Sequence, residues 1–323
     1  MAHTQPTISV VTPVLNEEEN IPVLYQEVRK VCEEAGVGYE MIFVDDGSTD
    51  NSLAVIKGLR KADRKVRYLS LSRNFGHQNA LFAGLTHAGG DAVITMDADL
   101  QHPPRLIAAM IERWQKGADV VYTVKQRATL SPMKHAIVRA SYWFISKVSG
   151  LRLEFGQSDF RLIDKKILKL IVQIPEYHKF LRGQVSWLGF RQEGISYDVE
   201  KRRAGTPKYS YKSLYDLALN GIFSFGRYPL HLVMMLGLCI FFASTVYIFL
   251  LLVIWLLKIA GIVRIAMPPG WTTLSMAVFF LGSIQLIALG VLSEYVGRIY
   301  DQAKGRPVFI ARETSEEGES RRA

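Results

Sequence analysis

The sequence predicts an α/β domain, a mostly parallel sheet with helices on both faces, followed by two transmembrane helices. Apolar runs rich in β-branched residues alternate with segments of helical period between residues 8 and 124, which is the pattern of strands joined by crossover helices. Two uncharged runs near the carboxyl end are long enough to cross a bilayer. Beyond residue 130 the alternation stops.

The strands are read at ISVVTPV (8–14), YEMIFVDD (39–46), VRYLSLS (66–72), DAVITMDAD (91–99) and DVVYTV (119–124). The helices between them are read at 20–34, 51–63, 77–88 and 103–117, where Pro103 and Pro104 suit a first helical turn. A long helical stretch runs to about Val148, and a hairpin is expected around WLGFRQEGISYDVEKR (187–202). SYKSLYDLALNGIFSF (210–225) is amphipathic and reads as an interfacial helix. The tail ARETSEEGESRRA (311–323) reads as disordered.

From Pro229 to Leu257 there is no Asp, Glu, Lys or Arg, and the run from Trp271 to Gly297 is uncharged until Glu294. Each exceeds the roughly 20 apolar residues that cross about 30 Å of hydrocarbon. Lys201, Arg202, Arg203, Lys208, Lys212 and Arg227 precede the first run, and Arg298, Lys304, Arg306 and Arg312 follow the second. Basic residues near membrane ends stay cytoplasmic, so both termini are expected inside an inner-membrane, multi-pass protein. The organisation expected is a catalytic domain over 1–208, a juxtamembrane helix over 209–228, two spans with a short external loop over 229–297, and a cytoplasmic tail over 298–323.

The 323 residues carry a formal net charge of +9, which reads as affinity for an anionic leaflet and for phosphate ligands. No interleaving of aromatic and basic residues argues for nucleic acid. The amino terminus MAHTQPTISVV lacks the charged start and apolar core of a signal peptide. Cys32 and Cys239 offer neither a disulfide framework nor a metal site, in keeping with a reducing cytosol.

In such sheets ligands sit beyond the carboxyl ends of the strands. Asp97 and Asp99, two apart, point the same way if extended geometry persists through Ala98, and then can hold one hard cation, Mg²⁺ or Mn²⁺, with Gln101 adding a carbonyl oxygen. The alternative is that both acids merely cap the following helix. In VDDGSTDNS, Asp45 and Asp46 can accept hydrogen bonds from ribose hydroxyls or a base, although the stretch is also a good turn. The end of the first strand has no glycine-rich fingerprint, which argues against a dinucleotide cofactor.

VVTPVLNEEENI, VDDGSTDNS, LSRNFGHQNALFAGL, MDADLQHPP, SDFRLIDKK and RRAGTPKY together resemble glycosyltransferase family 2. More narrowly, the chain resembles its polyprenyl-phosphate glycosyltransferases, which include dolichyl-phosphate mannose synthases and bactoprenol glucosyltransferases. The resemblance implies a GT-A-like, Rossmann-like fold. It places the nucleotide-sugar pocket on Pro13, Leu15, Glu17, Val44 and Asp46, and the metal motif on Asp97, Ala98, Asp99 and Gln101. Lys125 and Arg127 stand where relatives carry one arginine, and Arg202 and Lys208 fall on the basic loop that neutralises the leaving diphosphate. Asp159 and Arg161 match the acceptor-side motif, Asp159 either as general base or as the group that orients Arg161. Asp99 is counted with the catalytic residues. His77 reads either as a residue near the sugar or, as is commoner for a helix-start histidine, as structural; His102 is given no role, and Trp143 and Trp187 read as core or interfacial belt.

The activity implied is inverting transfer of one hexose, with UDP-glucose the first choice of donor, to undecaprenyl or dolichyl phosphate at the cytoplasmic membrane face. A homotetramer is expected by the same resemblance. A processive polysaccharide synthase shares the aspartates, but the QxxRW signature is missing. A non-catalytic scaffold that binds nucleotide sugar, and a transporter, are the other readings; two spans without intramembrane charge give a transporter no pathway.

Overall fold

The computed structural model describes residues 5–126, 157–198, 228–261 and 270–315. Among the described residues eight strands form one sheet in the order β7-β5-β6-β4-β1-β2-β3-β8, the last being Ala311–Thr314. β1 (Thr7–Val14) is central and pairs in parallel with β2 (Gly38–Asp45) and β4 (Ala92–Thr95), and β3 (Val66–Leu71) extends the parallel half. β6 (Gln157–Asp164) runs antiparallel between β4 and β5 (Val120–Gln126), and β7 (Gln192–Asp198) lies parallel to β5.

Helices cover both faces, as the alternation predicts. α1 (Asn20–Glu34) buries Ile21, Leu24, Tyr25, Val28 and Cys32, an i, i+3, i+4 stripe, and shares its face with α2 (Ser52–Ala62) and α4 (Leu106–Gln115). The opposite face packs α3 (His77–Thr86), α5 (Lys165–Gln173) and α6 (Leu181–Trp187) on Val11, Val44, Leu69 and Ile163. Gly84 lets α3 lie directly on the sheet: a Cβ there would overlap Val11 Cγ1 and come within 2.9 Å of Val44 Cγ2.

Three expectations are corrected. β4 ends at Thr95, and Ala98 and Asp99 form a turn closed by Leu100 at φ 58°, so extended geometry does not persist through the acidic motif. The backbone leaves the sheet because the Asp97 N–H donates to His102 Nδ1 (3.2 Å) instead of to a neighbouring strand. No hairpin forms at 187–198. α6 occupies the first arm, Gly189 (φ 72°) turns the chain, and β7 then adds in parallel to β5. The start of the tail is a strand: β8 (Ala311–Thr314) pairs antiparallel with β3, Glu313 forms an ion pair with Lys57, and Val308 and Phe309 pack against the core; 316–323 lie outside the described residues. The helical stretch before Val148 and the interfacial helix at 210–225 lie outside the described residues.

Among the described residues two long helices, α7 (Tyr228–Ile259) and α8 (Trp271–Ala303), lie between β7 and β8 in the chain. Among the described residues one segment, Phe280–Ala303, is long and apolar enough to cross a membrane by length and composition; the corresponding apolar part of α7 is the shorter Leu232–Tyr247.

Gly84→Ala is expected to lower stability by about 1–3 kcal/mol through overpacking, read as a fall in Tm; an unchanged Tm would mean that α3 can lift from β1 without cost.

Candidate functional site

The site lies beyond the carboxyl ends of β1, β2 and β4, together with the start of β6. On one side, the loops after β1 and β2 are laced together. Asn16, at φ 54°, donates its N–H to Ser48 Oγ (3.0 Å), and its Oδ1 accepts the Thr49 N–H (2.8 Å). Glu17 N–H donates to Ser52 Oγ (2.9 Å) and Glu18 N–H to Asp50 Oδ2 (3.3 Å). Gly47, at φ 75°, brings the β2 loop against the β3 loop, where a Cβ would sit 2.9 Å from the Arg73 carbonyl carbon.

Asp45 and Asp46 hold this arrangement in place. Asp45 accepts from the Ser48 N–H and from Ser70 Oγ, both at 3.0 Å. Asp46 accepts from the amides of Phe75 (2.7 Å) and Gly76 (3.0 Å). Burial pushes the Asp46 carboxyl up, and the two amide bonds only partly offset it. Both carboxylates thus shape the loops, and a ribose hydroxyl would have to share oxygens already engaged. Pro13 is buried and Val44 is fully buried against α3, so the Val44 side chain is core; Leu15 and Glu17 are half-buried at the rim.

Asp97 and Asp99 leave the sheet in the turn after β4. The Asp97 side chain is 31% exposed, with His77 Nε2 at 3.5 Å from Oδ1 and His102 Nε2 at 3.8 Å from Oδ2. Asp99 Oδ1 accepts the Gln101 N–H (3.1 Å), closing its own turn. The capping alternative fails in its simple form, because α4 has Arg105 at its N-cap and no side-chain cap. Among the described residues no group of three His, Cys, Asp or Glu side chains is placed to hold a metal. Two carboxylates with amide oxygen nearby suit a hard cation that takes its remaining ligands from water and phosphate oxygens. Lys125, in β5, is half-buried; Arg127, Arg202 and Lys208 lie outside the described residues.

His102 has a definite part here. It is 1% exposed and stacks on Phe160 at 5.2 Å between centroids. Since its Nδ1 accepts from Asp97, the ring proton belongs on Nε2, facing Ser158 Oγ at 2.7 Å. Burial pushes its pKa down against the upward pull of Asp97, so the ring is neutral and fixes the Asp97 backbone.

On the other side, β6 puts Asp159 and Arg161 on one face, two residues apart. The Asp159 side chain is 8% exposed and is gripped by a guanidinium fork: Arg182 Nε reaches Oδ1 at 2.6 Å and Arg182 Nη2 reaches Oδ2 at 2.7 Å. Gln78 Nε2 adds a 3.3 Å bond, and His77 Nε2 stands 3.8 Å from Oδ2. Burial pushes the Asp159 carboxyl up, but Arg182, then Arg161, outweigh it and hold it well below the usual carboxylate range. Arg161 is 2% exposed, 3.7 Å from Asp159 Oδ1; burial pulls its pKa down to about 10, so it stays charged at neutral pH. His77 therefore stands between the acidic turn and the Asp159 cluster.

The model of the Glycosyl transferase family 2 matches residues 9–166, which span β1 to β6 and so include Asp45, Asp46, Asp97, Asp99, Asp159 and Arg161. The chain is also 40% identical over 309 residues to the bactoprenol glucosyl transferase of Shigella phage SfII, covering 95% of this chain and 98% of that protein. The chain belongs to glycosyltransferase family 2. It is 37% identical over 307 residues to an uncharacterized glycosyltransferase, YkcC, of Bacillus subtilis, covering 95% and 93% of the two chains. Among solved structures, glucosyl-3-phosphoglycerate synthase from Mycobacterium tuberculosis, in complex with Mn²⁺, UDP and glucosyl-3-phosphoglycerate, matches with a TM-score of 0.43 at 19% identity, covering 67% and 77% of the two chains.

Sequence reasoning gave this glycosyltransferase no role for Arg182 or Gln78, read His77 as near the sugar or structural, and set His102 aside. The signal for Arg182 is slight: one charge in the apolar run FLRGQVSWLGF.

Arg182→Leu leaves the Asp159 carboxylate buried without its partner and is expected to cost about 3–5 kcal/mol; adding Asp159→Leu should recover most of it in thermal unfolding. Because the folded pKa of Asp159 is depressed, its contribution is complete above the unfolded value near ~4 and fades as pH falls below it. Asp159→Asn should flatten that acid slope, and an unchanged slope would show that the pair contributes nothing to it.

Proposed function

We propose that the protein transfers a single hexose, with inversion, from a nucleotide diphosphate sugar to a polyprenyl phosphate at the cytoplasmic face of the membrane, with UDP-glucose the first choice of donor. The observation that carries the reading is the juxtaposition across His77 of a half-exposed acidic turn (Asp97, Asp99) and a cluster holding two arginines (Arg161, Arg182). One side suits a cation with a diphosphate, the other an anionic acceptor. The name of the phage relative, a bactoprenol glucosyl transferase, supports the acceptor class and the sugar.

Asp97 and Asp99, with Gln101, would hold Mg²⁺ or Mn²⁺, which when bound offsets charge on the leaving diphosphate. His102 keeps the Asp97 backbone in place from below. Asp159 acts by positioning: both of its oxygens are held by Arg182 and its carboxyl is a weak proton acceptor. No base is required, since a phosphate monoester with a second pKa near ~6 is largely ionised at neutral pH. Arg182, with Arg161 behind it, supplies positive charge beside the anionic acceptor. Lys125, Arg127, Arg202 and Lys208 are the proposed diphosphate contacts.

The same reading keeps α7 and α8 as two spans with both termini inside, an interfacial helix over 209–228, and a homotetramer. Anchoring sets the site at the depth of the acceptor's phosphate, and such proximity removes part of a bimolecular barrier.

The test incubates full-length protein in detergent with undecaprenyl phosphate, Mg²⁺ or Mn²⁺ and a panel of nucleotide sugars, reading the lipid by mass spectrometry. A single-hexose adduct with UDP-glucose, lost on chelation, is expected. Many sugars per lipid would indicate the processive synthase, and no adduct with any donor would sink the proposal. Asp99→Asn should lower turnover by about 10²–10³-fold; turnover at the wild-type level would remove Asp99 from the metal site.

A further inference from the structure

The end of α8 grips the catalytic domain at one loop, residues 174–180 between α5 and α6. Gln302 makes two bonds to its backbone: Oε1 accepts the Tyr177 N–H and Nε2 donates to the Pro175 carbonyl, both at 2.7 Å. Beside it, His178 Nε2 stands 3.3 Å from Asp301 Oδ2. A cavity of about 430 Å³ lies at this junction, lined by Tyr177, His178, Tyr295, Arg298 and Ile299 among others.

The loop is cross-linked between that grip and the site. The Lys179 ammonium donates to the Ile174 carbonyl (2.7 Å) across the loop and sits 3.9 Å over the Phe82 ring of α3. Glu176 accepts from Gln184 Nε2 of α6 (2.9 Å), and the Leu181 N–H donates to Gln78 Oε1 (3.3 Å), whose own amide reaches Asp159. Arg182, the second residue of α6, is the fork on Asp159.

We infer that Gln302, supported by Asp301, is a positioning residue: through the 174–180 loop it sets where α6 presents Arg182 to Asp159, so the carboxyl end of α8 fixes the acceptor side of the site. This deepens the functional reading above and rests on its assignment of Arg182 and Asp159 to the acceptor. The donor side hangs on loops after β1, β2 and β4, none of which the Gln302 bonds touch, so the effect should be selective.

Gln302→Ala and Asp301→Asn would be made in the full-length protein in lipid nanodiscs and followed in two ways. Amide hydrogen exchange should quicken about five- to tenfold at Tyr177 in Gln302→Ala, and measurably over 178–187 in both variants. Steady-state kinetics should show kcat/KM for undecaprenyl phosphate down about tenfold, with KM for the nucleotide sugar within about twofold of wild type. Faster exchange with unchanged acceptor kinetics would overturn the inference and leave the proposed function standing. Exchange unchanged in both variants, or a loss shared equally by donor and acceptor, would also overturn it. If the wild type makes no lipid adduct, the functional reading fails, and the exchange experiment still reports whether Gln302 holds the loop.

Discussion

The interaction on which the rest of the site depends is the grip of Arg182 on Asp159. A carboxylate only 8% exposed in the middle of a sheet is tolerable only if its charge is met, and a bidentate fork at 2.6 and 2.7 Å does this with defined geometry. Having met it, the fork helps fix the start of α6, where the Leu181 N–H also donates to Gln78 and Gln184 donates to Glu176 of the 174–180 loop. The antiparallel insertion of β6 between β4 and β5 delivers Asp159 beside the turn after β4, so sheet topology and electrostatics converge on one spot.

The opposite side follows a different logic. Four aspartates follow or close β2 and β4, yet Asp45 and Asp46 are taken up in bonding backbone amides and a serine, and what they produce is a shaped rim. Asp97 and Asp99 sit in a turn, in contact with solvent, where a hydrated ion can reach them. Burial separates the two pairs, since buried acids must spend their oxygens on local donors while half-exposed acids keep contact with solvent.

Much of this was legible in the sequence. The parallel strands of the first half and the helices between them follow from periodicity, and the acidic motifs fall at the strand ends as expected. The misreadings have physical causes. MDAD keeps the alternation of a strand, but the bond from Asp97 to His102 that ends the strand joins side chain to backbone across a turn, which periodicity does not encode. Arg182 is 23 residues from its partner, and only the fold brings them together. The ARET segment is polar enough to look unstructured, whereas edge pairing with β3 uses backbone groups that every residue carries.

That last strand changes how the molecule is put together. β7 and β8 occupy opposite edges of one sheet, and the helical pair lies between them in the chain. The helices are therefore an insertion into the domain and not an appendage hung from its end. A domain joined to a helical pair at two separated points of its chain resists swinging as a single leash would not. Cutting the chain ahead of α7 would remove the helical pair and also strip β8 from β3, leaving a row of unsatisfied peptide groups along a bare edge, an invitation to self-association.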